Sequence, residues 1–239
     1  MRAYELRALE ARVRAHASWG RAIKAAQQLR QTVSPRWPKD ATKFLDLDHW
    51  LNVNVRRAVI LNLHRVSGLK VLDLGCGAGL FLCVCQAFGH AAVGLDLPEN
   101  ELPSPEREIY VGLCEAFGVR VIRQSIRPFE PLQLQENVDL MTSYMIRFHK
   151  LETGGDWGRA EWKYFVDDML SHLPPGGRLM LKLNPCQERL WRRKYLDRES
   201  QRFFKSVGRI FDGNILIRNP ASAHLSKPPE SGAYPILRN

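Results

Sequence analysis

Hydrophobic positions in the first part of the chain recur every three or four residues. Leu6, Leu9, Val13 and Ala17 mark one face of a helix predicted from Tyr4 to about Leu29, with arginines over much of the remaining surface. Ser34-Pro35-Arg36-Trp37-Pro38 ends that pattern, because two prolines so close cannot continue a helix. A second helix is predicted from about Asp46 to His64. Leu51, Val55, Val59 and Leu63 form its apolar stripe, while Trp50, Asn54 and Arg57 share another face.

After Gly68 the rhythm changes. Short apolar runs at Lys70–Leu74, Ala91–Leu95, Val119–Arg123, Val138–Ser143 and Arg178–Leu183 read as strands. Helical patterns at Leu80–Phe88, Pro105–Phe117 and Ala160–Leu173 separate them, and a strongly basic helix is predicted over Gln187–Phe204. Val207–Phe211, an Asp212-Gly213 turn and Ile215–Arg218 then read as a hairpin. Alternating strands and helices with apolar strand runs predict the α/β class. The expected architecture is a Rossmann-like, doubly wound and mostly parallel sheet covered on both faces, with an antiparallel strand from the C-terminal hairpin and added N-terminal helices. The chain therefore divides into a helical lead-in at 1–68, a sheet domain at 69–218, and a Pro- and Ser-rich tail at 219–239 expected to be flexible.

Length and composition narrow this only slightly. A chain of 239 residues suits one well-packed domain plus appendages. No apolar run approaches the roughly 18–20 residues that span a bilayer. The opening MRAYELRALEARVRAH lacks the continuous apolar core of a secretory signal, so a soluble, cytoplasmic protein is expected. The five cysteines, Cys76, Cys83, Cys85, Cys114 and Cys186, are odd in number and sit mostly in apolar stretches. They read as buried thiols rather than a disulfide framework.

Charge changes the picture more. The net charge of +10 is unevenly placed: residues 1–68 carry +8, residues 69–185 carry −4, and residues 186–239 carry +6. Basic flanks around a mildly acidic middle suit an anionic partner, whether nucleic acid, acidic lipid or a phosphorylated substrate. Solvated arginine-rich helix faces account for the same numbers. Nothing in the sequence points to an oligomeric state.

The most informative segment is Val71-Leu72-Asp73-Leu74-Gly75-Cys76-Gly77-Ala78-Gly79-Leu80-Phe81. A strand passes through three alternating glycines into a helix, which brings backbone N–H groups and a helix N-terminus to one crevice. A dinucleotide fingerprint needs glycine at the sixth position of the motif, where Leu80 stands. Asp73, just before the glycines, would also oppose a pyrophosphate and suits an ammonium group better. A phosphate loop of the Gly-Lys-Ser/Thr kind is absent. Asp96 ends the next strand about twenty residues on, where a carboxylate accepts both hydroxyls of a ribose.

These residues resemble the class I S-adenosylmethionine-dependent methyltransferases, on VLDLGCGAGLF, the VGLDLP strand and the element order from 69 to 218. The resemblance implies a seven-stranded sheet with the last strand antiparallel and S-adenosyl-L-methionine as cofactor. It implies that Asp73, Gly75, Cys76, Gly77 and Gly79 meet the methionine part and that Asp96, with Leu97 beside it, holds the ribose. Gln124 and Ser125 stand at the adenine position without the usual carboxylate, and Ser143 with Tyr144 would line the cofactor and open onto the substrate. A finer similarity, to bacterial methyltransferases with a helical lead-in, rests on LDHWLNVNVRR from Leu47 and on Trp157-Gly158 with Glu161-Trp162. It implies that Trp50, Asn54 and Arg57 close over the cofactor's carboxylate.

The chemistry then needs an aligned nucleophile, and an oxygen or nitrogen acceptor also needs a proton removed. His149 and Tyr144 are the catalytic candidates, His149 as base and Tyr144 positioning or stacking on a substrate. A single histidine in a loop is more often a surface residue. Asp156 and Trp157, between Gly154-Gly155 and Gly158, suit a mobile wall of the substrate site, and Asn184 ends the fifth strand facing the pocket. No cluster has metal-ligand spacing. Thr142-Ser143-Tyr144 differs from the Asp/Asn-Pro-Pro-Tyr/Phe pattern that the resemblance associates with methylation of base or glutamine amino groups. The expected activity is in-line methyl transfer to an oxygen or nitrogen of a small-molecule or sugar- or lipid-linked acceptor. The alternatives are a nucleic-acid (RNA) methyltransferase that uses the basic flanks and a cofactor-binding protein without turnover.

Overall fold

The structure is a computed structural model that describes residues 3–32, 34, 42–146, 148–150, 155–183 and 196–220. Its helices are α1 (Ala3–Arg14), α2 (Ala17–Thr32), α3 (Leu47–Ile60), α4 (Leu80–Ala87), α5 (Ser104–Phe117), α6 (Arg159–Ser171) and α7 (Arg198–Val207). Its strands are β1 (Lys70–Leu74), β2 (Ala91–Asp96), β3 (Arg120–Arg123), β4 (Leu140–Ile146), β5 (Arg178–Leu183), β6 (Gly208–Phe211) and β7 (Asn214–Arg218).

The sheet has seven strands in the order β3-β2-β1-β4-β5-β7-β6. Strands β1 to β5 run parallel, and β7 pairs antiparallel with both β5 and β6. The doubly wound expectation holds in full. Strand order reverses between β1 and β4, so a crevice opens there beyond their carboxyl ends, where such sheets bind ligands. Helices cover both faces and divide the core in two. On one face α3 and α4 bury Leu51, Val55, Phe81 and Val84. On the other, α6 and α7 bury Trp162, Phe165, Met169 and Phe204 together with Trp157.

The first helix differs from its expectation. It is two helices that break at Ala15-His16, where His16 Nδ1 and Ser18 Oγ lie 2.8 Å apart. The break lets α2 turn away from α1 and pack along α5, with Trp19 and Phe117 ring centroids 6.2 Å apart. The second helix ends at Ile60, and Leu63–Arg65 forms a separate short turn after the left-handed Asn62. Of the basic helix predicted at 187–204, residues 187–195 lie outside the described residues. The described part starts at Asp197, whose carboxylate caps it by accepting from the N–H groups of Glu199 and Ser200, and runs through Val207. Residues 221–239 of the tail also lie outside the described residues. No helix among the described residues is long and apolar enough to cross a membrane.

Candidate active site

The turn after β1 gives its glycines different work. Gly75, Gly77 and Gly79 have φ of +71°, +52° and +74°, left-handed values that a side chain disfavours. Gly75 N and Cys76 N both donate to Leu95 O, which ties the turn to β2. A Cβ on Gly77 would meet only the Tyr110 ring, at 3.9 Å, so this backbone faces open space. A Cβ on Gly79 would lie 2.8 Å from Val119 and 2.9 Å from the Cys114 sulfur. Gly79 caps α4 against α5 and lies off the cavity wall, contrary to its expected place beside the cofactor. Its role is packing.

Two carboxylates frame this turn. Asp73, on β1, is buried and accepts a 2.6 Å hydrogen bond from Thr142 Oγ1. Burial pushes its carboxyl up to about 7, against the opposing pull of that hydrogen bond and of Arg57. Asp96, at the tip of β2, accepts from Gly77 N at 2.5 Å and from Leu97 N at 2.8 Å. Burial raises its carboxyl too, and the two backbone N–H groups oppose that rise. The half-buried Cys76 thiol is held well above the ordinary thiol range, first by Cys114 beside it and then by desolvation, and stays protonated.

The α3 face closes over this floor. Asn54 Nδ2 donates to Trp50 O at 2.8 Å, and Arg57 Nη1 donates to Asn54 Oδ1 at 3.0 Å. This chain of contacts aims the guanidinium, whose carbon sits 4.4 Å from the Tyr144 ring centroid. Burial pulls Arg57 below its ordinary range and pushes the Tyr144 phenol far above its own, so Tyr144 is a neutral wall and no base. Phe44 stacks on Trp50 at 4.9 Å and meets Tyr110 edge-on at 5.4 Å, which joins this wall to α5.

The far end of the cavity is formed by β4 and the loop after it. His149 is 1% exposed, and neither ring nitrogen has a hydrogen-bond partner among the described residues. Its Nε2 lies 4.0 Å from Asp156 Oδ1, and Asp156 is held by Lys150 at 2.6 Å. Burial lowers the imidazole's proton affinity, Asp156 partly restores it, and Lys150 lowers it again. The lowered affinity leaves the imidazole neutral at neutral pH, with both ring nitrogens enclosed.

All these parts border one cavity of about 990 Å³. The structure brings Trp50, Asn54 and Arg57 to its wall, then Asp73, Gly75, Cys76 and Gly77, then Asp96, Leu97 and Gln124, and finally Tyr144 and His149. Ser125 is off the wall and donates to Glu101 Oε2 at 2.7 Å. Ser143 is fully buried within β4 with its hydroxyl unpartnered, because strand alternation turns it from the face Tyr144 uses. Trp157 is no wall of a mobile loop. It is 1% exposed and packs 5.1 Å from Phe148 and 5.2 Å from Trp162, ring centre to ring centre. Asp156 also stays off the wall, and Asn184 lies outside the described residues.

Several wall residues escaped the sequence reading. Tyr110 and Glu106 are four apart on α5, a spacing that places them on one face and was available as a signal. Phe44, Met145 and Phe148 gave none: Phe44 lies in the short turn Lys43–Leu45, Met145 at an irregularity of β4 and Phe148 just past that strand. Among the described residues no three His, Cys, Asp or Glu side chains gather to hold a metal ion.

The cavity floor offers two carboxylates, the backbone of Gly75 and Gly77, and an apolar slot at Leu97, Leu102 and Ile126. That donor set fits a ligand with an ammonium group, vicinal hydroxyls and a flat base. The sequence matches the methyltransferase domain family over residues 47–218, which takes in α3 and the whole sheet. Among solved structures, the chain is similar to CalS10, an amino pentose methyltransferase from Micromonospora echinaspora. The identity is 26%, over 60% of this chain and 52% of that one, with a TM-score of 0.38. It is similar to TrmN from Thermus thermophilus at 25% identity, over 54% of this chain and 38% of that one, with a TM-score of 0.38. A methyltransferase from Pyrococcus furiosus aligns at 14% identity over 71% of this chain and 84% of that one, with a TM-score of 0.46. The chain thus spans about half the length or less of the first two. No curated protein matches it. On the family match over most of its length, with the strand order and glycine turn that accompany it, the chain belongs to the methyltransferase domain family, the S-adenosylmethionine-dependent enzymes of class I.

Proposed function

We propose that this chain transfers a methyl group from S-adenosylmethionine, by in-line displacement, to an oxygen or nitrogen of a small-molecule acceptor, sugar- or lipid-linked acceptors included. The single observation that carries the reading is the continuity of the cavity from Asp96 to His149. Its volume of about 990 Å³ is at the upper end of the roughly 300–1,000 Å³ usual for small-ligand pockets, enough for a cofactor and a compact second substrate.

The cofactor end divides among the residues as their chemistry suggests. Asp73 faces the ammonium group, and the Gly75 and Gly77 backbone lies against the methionine chain. Arg57, aimed by Asn54 under Trp50, takes the carboxylate, while Asp96 takes the ribose hydroxyls and Leu97 with Gln124 bounds the base. When bound, S-adenosylmethionine supplies a sulfonium methyl that leaves without its bonding electrons, which stay on sulfur as S-adenosylhomocysteine. His149 accepts the acceptor's proton, and burial keeps it neutral for that task. Arg57 and Tyr144 exclude water between the two ends. Residues 1–68 act as a lead-in and lid over the cofactor domain at 69–218.

The test is incubation with methyl-labelled S-adenosylmethionine and either a metabolite extract or total RNA, followed by mass identification of the labelled product. Label in a small molecule is the expected result. Label confined to RNA, or no label with cofactor demonstrably bound, overturns the reading.

A further inference from the structure

Strand β4 gains a residue near its end. Its pairing with β5 runs in register from Leu140 against Arg178 to Tyr144 against Lys182, then resumes at Ile146 against Leu183. Met145 is the residue left over, a bulge in an otherwise regular parallel pair. Its φ is +61°, left-handed, where a long side chain is strained. In an unbroken strand Met145 would follow Met141 and Ser143, both fully buried, onto the face of the second core. Instead it is 44% exposed and borders the cavity beside Tyr144, Phe148 and His149. An apolar side chain is thus kept out of the core at a strained backbone position, the kind of cost that proteins keep at functional sites.

Its neighbours are fixed from behind. The Tyr144 ring meets Phe81 edge-on at 5.3 Å and carries Arg57 over its face at 4.4 Å. Phe148 is set against Phe165 at 5.0 Å and Trp157 at 5.1 Å. Two rings and a thioether make an apolar, polarisable lining that attracts another ring. The buried imidazole of His149 stands at the same end, and neither of its enclosed nitrogens is hydrogen-bonded among the described residues. A sugar would find few polar partners on these three side chains.

We propose that Met145, set out of β4 by the bulge, determines acceptor specificity, and that the acceptor is an aryl alcohol whose ring lies against the Met145 thioether with its hydroxyl toward His149. This rests on the methyl-transfer reading above and narrows its acceptor to one class.

The experiment uses the full chain with ¹³C-labelled methionine methyls, of which there are five. Met145→Leu assigns the Met145 signal. The protein is first saturated with S-adenosylhomocysteine, with binding followed by calorimetry. It is then titrated with 2-naphthol, glucosamine or uridine monophosphate. Only 2-naphthol is expected to move the Met145 methyl upfield, by ring current. Met145→Gly is expected to bind 2-naphthol about tenfold more weakly, the scale of a lost sulfur–ring contact. The same variant is expected to melt about 2–4 °C higher, because glycine relieves the left-handed φ. A Met145 signal unmoved by 2-naphthol, a stronger response to glucosamine or the nucleotide, or full affinity in Met145→Gly overturns the proposal. Failure of S-adenosylhomocysteine itself to bind strikes the methyl-transfer reading instead.

Discussion

At the proposed cofactor end the cavity wall is main chain and carboxylate: the Gly75–Gly77 backbone, Asp73 on β1 and Asp96 on β2. At the proposed acceptor end it is ring, thioether and imidazole, held by a strand bulge and a loop laid on an aromatic core. The first end comes from one stretch of about twenty-five residues whose parts are tied by local hydrogen bonds, Gly75 to Leu95 and Gly77 to Asp96. The second draws on β4 and the residues around His149, joined by packing against the aromatic core. The difference teaches that the first end is set by backbone geometry and the second by side-chain packing.

The most severe test of this contrast is His149→Gln. It is expected to lower turnover with the identified acceptor by about 10²–10⁴-fold, the usual share of a general base. S-adenosylhomocysteine affinity should stay within error by calorimetry. An equal loss of cofactor affinity would mean the two ends are not separable.

Trp157→Ala comes next. Removing a fully buried ring from the Phe148–Trp162–Phe165 group is expected to cost about 3–5 kcal/mol of stability, read from urea unfolding. Were Trp157 the wall of a mobile loop instead, the midpoint would hardly move.

Asp96→Ala probes the other end. It is expected to weaken S-adenosylhomocysteine binding at least about tenfold, since two ribose hydroxyls lose a charged partner. Unchanged affinity would remove Asp96 from the ribose site.

The smallest expected effect is a pH dependence. Burial, partly offset by Thr142 and Arg57, raises the Asp73 carboxyl to about 7. Because this folded-state value lies above the unfolded one, its contribution to stability is present at low pH and is lost as pH rises through about 7. An ammonium group bound beside Asp73 restores the carboxylate and releases a proton. S-adenosylhomocysteine binding is therefore expected to tighten by up to about tenfold between about pH 6 and 8. The measured enthalpy should also change with the ionisation enthalpy of the buffer. No proton release would place the ammonium group elsewhere.

What the sequence determined by itself follows from where the information lies. Apolar period, Gly-Cys-Gly-Ala-Gly and the strand-end Asp96 are local features, and local features set strand, turn and helix before any distant contact forms. They were enough for the sheet, its antiparallel β7 and the gathering of Asp73, the glycine turn and Asp96 on one cavity wall. The tertiary structure alone decided which side of each element faces the ligand. Gly79 and Gly77 are alike in sequence, but Val119 and Cys114 crowd one and leave the other open. Trp157 sits among turn residues, and only the second core shows that burial of its ring outweighs the loop's freedom. Met145 carries no mark of its own. Its place depends on how β4 registers against β5, a pairing between segments more than thirty residues apart that no short-range pattern encodes.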